Sequence, residues 1–185
     1  MEEAPWRTIP ELIEYSATTY GNHQALVDGE FQLSFTELKD EIYKSANALI
    51  ETGLTPGDRI GIWAPNTWEW VIAALGVHVA GGVLVPINTR FKGKEASYVI
   101  TKADISLLFT VTDFLETNYV KLLEGTDAET TLQEIIILKG NAEKRTTSFN
   151  DFLRRAKESR IPEVQTRAEG VSGEDLCHIM FTSGT

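Results

Sequence analysis

The sequence predicts an α/β fold, a layered αβα arrangement around a mostly parallel sheet. Three observations lead there. Short Val-, Ile- and Leu-rich runs such as "RIGIW", "VLVPI", "SLLF" and "EIIIL" read as strands buried on both faces. Segments with a helical apolar period alternate with them along the chain. The length of 185 residues and hydrophobic content of 42% suit one globular unit with a sizeable core.

The elements follow in order. "TIPE" at Thr8–Glu11 has capping-box form with Pro10 in the first turn. Leu12, Ile13, Ala17 and Tyr20 then share a helical face that Gly21 ends. "ALVD" and "FQLSF" flank Gly29 as a short hairpin. "SFTE" at Ser34–Glu37 is a second capping box, followed by Leu38, Ile42, Ala46, Leu49 and Ile50 at helical spacing, with Gly53 as stop. "RIGIWAP" is a buried strand, and Trp68 to Ala80, apolar nearly all round, a buried helix. "VLVPI" is the next strand and Lys94 to Lys102 the next helix. "ISLLFT", Asp113 to Leu123 and "EIIIL" read as strand, helix and strand. Ser148 caps a helix carrying Phe149, Phe152, Leu153 and Ala156. Residues 159–174 read as a polar linker before a last strand, "LCHIMF".

A net charge of −10 lacks the basic footprint of a nucleic-acid-binding protein, so no nucleic-acid partner is expected. The basic cluster from Lys139 to Arg145 reads as a solvated loop. A single cysteine, Cys177, excludes an intrachain disulfide and suggests a reducing compartment. Its apolar surroundings suggest a small buried hydrophobe. "MEEAPWRTIPEL" has two acids and no apolar run, unlike a signal peptide, and Trp70 to Val77 is too short to span a bilayer. A cytoplasmic location with no transmembrane segment is the expectation.

Most chemical signatures are missing. There is no G-x-G-x-x-G after the first strand, no G-x-x-x-x-G-K-[ST] and no G-x-S-x-G. His23, His78 and His178 lie far apart in sequence without metal-ligand spacing and read as structural, so no metal site is expected in the chain. Asp28, Asp58 and Asp104 adjoin turns or strand starts. Trp63, Trp68 and Trp70 could line a pocket but read as core. Arg90 follows "VPINTRF" into the loop beyond a strand. There it either forks onto a phosphate or forms a surface salt bridge. Thr182-Ser183-Gly184-Thr185 leaves the last strand with three hydroxyls around a glycine, a composition suited to an anion-binding nest.

"LCHIMFTSGT" after Asp175 resembles the entry to the phosphate loop of the adenylate-forming (AMP-binding) enzymes, among them acyl-CoA synthetases, firefly luciferase and nonribosomal adenylation domains. The stretch from Leu33 to Ile100 resembles their N-terminal subdomain throughout. Its landmarks are Phe35-Thr36-Glu37-Leu38, Gly57-Asp58, Pro65-Asn66 and "VPINTRF". "IWAPNTWEWV" and "GVHVAGGVLVPINTR" are most similar to acid:CoA ligases, particularly actinobacterial fatty-acid-type ligases and those acting on propionate side chains of steroid ring remnants.

The resemblance implies residues 1–185 as an N-terminal subdomain that stops within the phosphate-loop motif. It implies ATP, Mg²⁺ and coenzyme A as cofactors and a small-molecule carboxylic acid, fatty or steroid-derived, as substrate. Thr182, Ser183, Gly184 and Thr185 match the residues that hold the ATP phosphates, and Arg90 matches a contact to coenzyme A phosphates. The family's loop lysine, magnesium ligands and C-terminal catalytic lysine have no counterpart, so no catalytic residue is expected within this chain and no activity from it alone. The alternative is a stand-alone nucleotide-binding or protein-interaction module. Apolar residues around Ile179 to Phe181 suggest a loosely packed last strand or homo-oligomerisation.

Overall fold

The computed structural model describes residues 4–182. Ser183, Gly184 and Thr185, three of the expected phosphate-binding residues, lie outside the described residues.

Both predicted capping boxes form. Helix α1 (Ile9–Tyr20) begins where the Glu11 N–H donates to Thr8 Oγ1 at 3.3 Å and the Glu11 carboxylate accepts from the Thr8 N–H at 3.2 Å. Strands β1 (Gln24–Asp28) and β2 (Phe31–Ser34) pair as an antiparallel hairpin. Helix α2 (Phe35–Glu51) repeats the device with Ser34 and Glu37, at 3.3 and 2.8 Å. Each box satisfies backbone donors that the first helical turn leaves free, worth about 1 kcal/mol. Gly53, at φ +93°, turns the chain off α2 in a conformation that a side chain would strain.

Strands β3 (Arg59–Trp63), β4 (Val83–Pro86), β5 (Leu107–Val111), β6 (Glu134–Lys139) and β7 (Thr147–Ser148) form one sheet in the order β4-β3-β5-β6-β7, every pair parallel. Helix α3 (Trp68–Val79) connects β3 to β4, and α4 (Gly93–Lys102) connects β4 to β5. These two crossovers run in opposite directions across the sheet. Right-handed connections therefore set α3 and α4 on opposite faces. The packing agrees. α3 shares its layer with α1, α2, α7 (Phe149–Leu153) and α8 (Ile161–Gly170), while α4 packs with α5 (Tyr119–Leu123) and α6 (Ala128–Thr131).

The sheet is the core. Ile60, Ile62, Trp63, Leu108 and Phe109 are inaccessible to solvent, as expected for parallel strands covered on both sides. The core reading of the tryptophans holds. Trp63 is fully buried, and Trp68 and Trp70 pack partly buried against the core, Trp68 stacked on Phe31 with centroids 4.0 Å apart.

Four expectations need correction. Residues 159–174 are not a polar linker. They contain α8, which buries Val164 and Ala168. Its charges hid a sparse apolar stripe and serve as anchors: Arg160 pairs with Glu51 of α2 at 2.5 Å and Arg167 Nη1 donates to Leu54 O at 2.6 Å. Asp113 to Leu123 is helical only over α5, because Leu115 and Glu116 sit at φ +51° and +60°. The last segment is not a buried strand. It makes a single parallel pairing, His178 with Leu84, and Cys177 is exposed. Ser148 does cap a helix, but α7 ends at Leu153, short of Ala156. The short elements α6 and β7 carry no strong period and were not anticipated.

Candidate functional site

In an open parallel sheet, ligands collect beyond the carboxyl ends of the strands, near the point where strand order reverses. Here that point lies between β3 and β5. The residues at this edge are braced from below. Thr110, inaccessible in β5, donates its hydroxyl to Trp63 O at 2.9 Å. The Trp63 indole N–H donates to Asn88 O at 3.1 Å, and the Tyr119 hydroxyl donates to Thr89 O at 2.8 Å. The loop after β4 is thus held by two side chains from other elements. Within it, Asn88 Oδ1 accepts from the Arg90 N–H at 2.9 Å and closes an Asx turn.

Arg90 itself is exposed. Its guanidinium makes no hydrogen bond or ion pair among the described residues, so the surface-salt-bridge reading finds no partner there. A rigid loop that presents an unengaged guanidinium at the carboxyl edge suits an anionic group.

The terminal segment reaches the same edge. The Leu84 N–H donates to Cys177 O at 2.9 Å and the Ile179 N–H donates to Leu84 O at 3.0 Å. The pairing is parallel, so Thr182 lies as far past His178 as Asn88 lies past Leu84. Thr182, exposed, and the Asn88–Arg90 loop therefore leave neighbouring positions of one sheet edge. Together they present a hydroxyl and a guanidinium, donors suited to phosphate oxygens. The same donor set does not suit Mg²⁺, because no group of three or more His, Cys, Asp or Glu among the described residues could hold a metal ion.

Two histidines that are distant in sequence meet. His78, in the last turn of α3, and His178 pack edge to face with centroids 4.7 Å apart. His78 is buried, and burial, with the neighbouring His178 second, pushes its pKa down to about 4. Beside it lies a cavity of about 130 Å³ bounded by Arg7, Pro10, Gly82, Ser172 and Cys177. A larger polar depression of about 570 Å³ opens at the amino ends of the strands, around Arg59, Asp104 and Glu134. It lies at the opposite edge from Arg90 and Thr182, and its charged groups are engaged, Arg59 with Asp104 at 2.5 Å and Glu134 with Arg155 at 2.6 Å.

The structure brings Arg90 and Thr182, both expected from the sequence as candidates, to one sheet edge, and the bracing residues Tyr119 and Thr110 were not among the candidates. A buried tyrosine needs a partner for its hydroxyl, but spacing alone does not show that the partner is the Thr89 carbonyl.

The profile of the family described as "AMP-binding enzyme" matches residues 13–185, and the chain belongs to that family. It is 37% identical to a 7a-methyl-1,5-dioxo-octahydro-1H-inden-4-yl propanoyl:CoA ligase of Rhodococcus jostii (strain RHA1), over 100% of this chain and 36% of the relative. The ligase of the same name from Mycobacterium tuberculosis (strain ATCC 25618 / H37Rv) is 34% identical over 97% of this chain and 34% of its own. The chain thus spans about a third of the length of these relatives. Among solved structures, the anthranilate CoA ligase AuaEII in complex with anthranoyl-AMP superposes with a TM-score of 0.84 at 22% identity, over 100% of this chain and 34% of that one, which establishes the shared fold. Among the described residues no helix is long and apolar enough to cross a membrane.

Proposed function

We propose that this chain forms the N-terminal part of an ATP-dependent acid:CoA ligase. A carboxylate attacks the α-phosphate of ATP, giving an acyl-adenylate and pyrophosphate. The thiol of coenzyme A then attacks the acyl carbon and AMP leaves, giving the thioester. The two similar ligases, named for a bicyclic keto-propanoyl group, favour a propanoate carried on fused rings as the acid, with fatty acids as the second choice. A cytoplasmic setting belongs to this reading and is supported by the lone exposed cysteine.

The observation that carries the proposal is the convergence of the hydroxyl-bearing terminal segment and the braced Arg90 loop on one carboxyl edge of the sheet. In this reading Thr182, with Ser183, Gly184 and Thr185, donates to ATP phosphate oxygens. Arg90 pairs with a phosphate of coenzyme A. Mg²⁺ would neutralise charge on the phosphates, with ligands from outside the described residues. The contribution this reading gives to these residues is electrostatic binding of phosphate groups.

The test is pyrophosphate release and thioester formation, with the bicyclic propanoate and medium-chain fatty acids as candidate acids. It compares this chain alone with the chain joined to the remainder of the Rhodococcus relative. Turnover by the joined protein only is the expected result. Turnover by this chain alone would contradict the division of labour, and a folded, ATP-binding joined protein that activates no acid would overturn the proposal.

A further inference from the structure

The terminal segment is held to the sheet by little backbone. Among the described residues two hydrogen bonds, both to Leu84, tie Cys177 and Ile179 to β4. Two such bonds do not define a register, since a slip along the strand would re-form them with other residues. Burial contributes on one face only: Ile179 and Phe181 pack partly buried against the core, whereas His178 is exposed, Leu176 and Met180 are 60% and 76% exposed, and a cavity of about 130 Å³ lies beside the segment. Side-chain contacts must therefore select the register.

There are two aromatic contacts, one on each face of the segment, as period-2 alternation requires. Phe181 meets Tyr98 of α4 edge to face at 6.3 Å. His178 meets His78 of α3 at the closer distance of 4.7 Å. Tyr98 is itself 60% exposed and offers a loose seat, whereas His78 is 5% exposed and fixed in a packed helix. His78 makes no side-chain hydrogen bond among the described residues, so its ring is not committed elsewhere. Moving the segment by one residue would turn His178 to the opposite face, away from α3. Moving it by two would set Met180 or Leu176 against His78.

We propose that His78 is a positioning residue for the terminal segment: its edge-to-face contact with His178 sets the register of Cys177–Ile179 on β4 and so fixes where Thr182 stands. A one-residue slip would carry Thr182 about 3.3 Å along the edge, beyond the range of a hydrogen bond made in the correct register. The contact is also sensitive to a proton on His78. Charging buried His78 beside His178 places a cation in a poorly solvated site, and the other charged or titratable groups around it are Arg7, Asp175 and Cys177. Burial holds His78 neutral until about pH 4, so the seat is intact at neutral pH and weakens as acid approaches that value.

The role of Thr182 in this inference rests on the ligase reading, but the register does not, and the test separates them. Amide hydrogen exchange of the chain, with protection at Ile179 referred to amides of β3, reports the register without any nucleotide. His178→Ala should lower Ile179 protection roughly tenfold at neutral pH, and His178→Phe should restore it, because an aromatic edge suffices. In the unsubstituted chain Ile179 protection should fall toward pH 4, and in His78→Phe that fall should vanish. Full protection in His178→Ala, or a loss in His178→Phe equal to that in His178→Ala, would overturn the inference. Failure to bind ATP in an unsubstituted joined protein, with the Ile179 results as expected, would instead remove the phosphate reading and leave the register assignment standing.

Discussion

Trp63 stacks on Tyr119 with ring centroids 4.2 Å apart, and the two side chains donate to consecutive carbonyls, those of Asn88 and Thr89. One residue comes from the end of a buried strand, the other from the start of a short helix two crossovers later. The pair sets the height and orientation of the loop that carries Arg90. That arrangement separates what fixes the loop from what the loop presents.

Tyr119→Phe keeps the stacked ring and removes the hydrogen bond to Thr89 O. A loss of about 1 kcal/mol in urea unfolding is expected, since a part-buried carbonyl loses its donor. Exchange of the Arg90 and Phe91 amides should quicken more than exchange in β5. Equal effects in both places would show that the hydroxyl has no local role.

Arg90→Ala removes an exposed side chain that has no partner among the described residues, so stability should stay within about 0.5 kcal/mol. In the joined protein the KM for coenzyme A should rise while the ATP-dependent first step is unchanged. A matched loss in the first step would move Arg90 away from coenzyme A.

Gly93 opens α4 against α5, and a Cβ there would stand 1.8 Å from Leu122 O. Gly93→Ala should destabilise by about 3 kcal/mol, because backbone on both sides must move. Gly170, at the end of α8, has nothing within 4 Å of the equivalent position, so Gly170→Ala serves as the control and should be close to neutral. Similar melting temperatures for the two variants would refute the close α4–α5 contact.

His78 binds a proton more weakly in the folded chain, with a pKa of about 4 against 6.5 for a free histidine. Between those values the unfolded chain carries the extra proton, so stability falls as pH drops from 6.5 toward 4. The full difference is roughly 3 kcal/mol. His78→Phe should flatten that part of the pH–stability curve, as measured by urea midpoints. An unchanged slope would mean that another group carries the acid sensitivity.

Glu51 holds α8 onto α2 through Lys157 and Arg160, whose hydrogen bonds lower its pKa. Its contribution is present above the ordinary glutamate range and is lost as pH falls through the lowered value. Glu51→Gln should therefore loosen α8 at neutral pH, seen as faster exchange at Val164, and less so at high salt. Unchanged exchange at Val164 would show that the buried face of α8 is enough by itself.

Sequence alone determined the elements whose signals are local. Thr8–Glu11 and Ser34–Glu37 specify helix starts by chemistry within one turn, and the short apolar runs inside β3, β5 and β6 read as strands covered on both faces. The family resemblance was legible for the same reason, because its landmarks are contiguous. Thr182 and Arg90 were legible as residue types at strand ends. Their convergence on one edge was not, since it depends on the parallel pairing of His178 with Leu84 across half the chain.

Tertiary structure alone decided the rest. α8 looked like linker because its few apolar residues are spread among polar and charged ones, and it is anchored on the fold where Arg160 and Arg167 find Glu51 and Leu54 far upstream. His78 and His178 looked unrelated until the sheet brought the terminal segment over α3. Periodicity and capping are short-range and survive in a string of letters. Ion pairs, ring contacts and strand register are long-range, and they exist only once the chain has closed on itself.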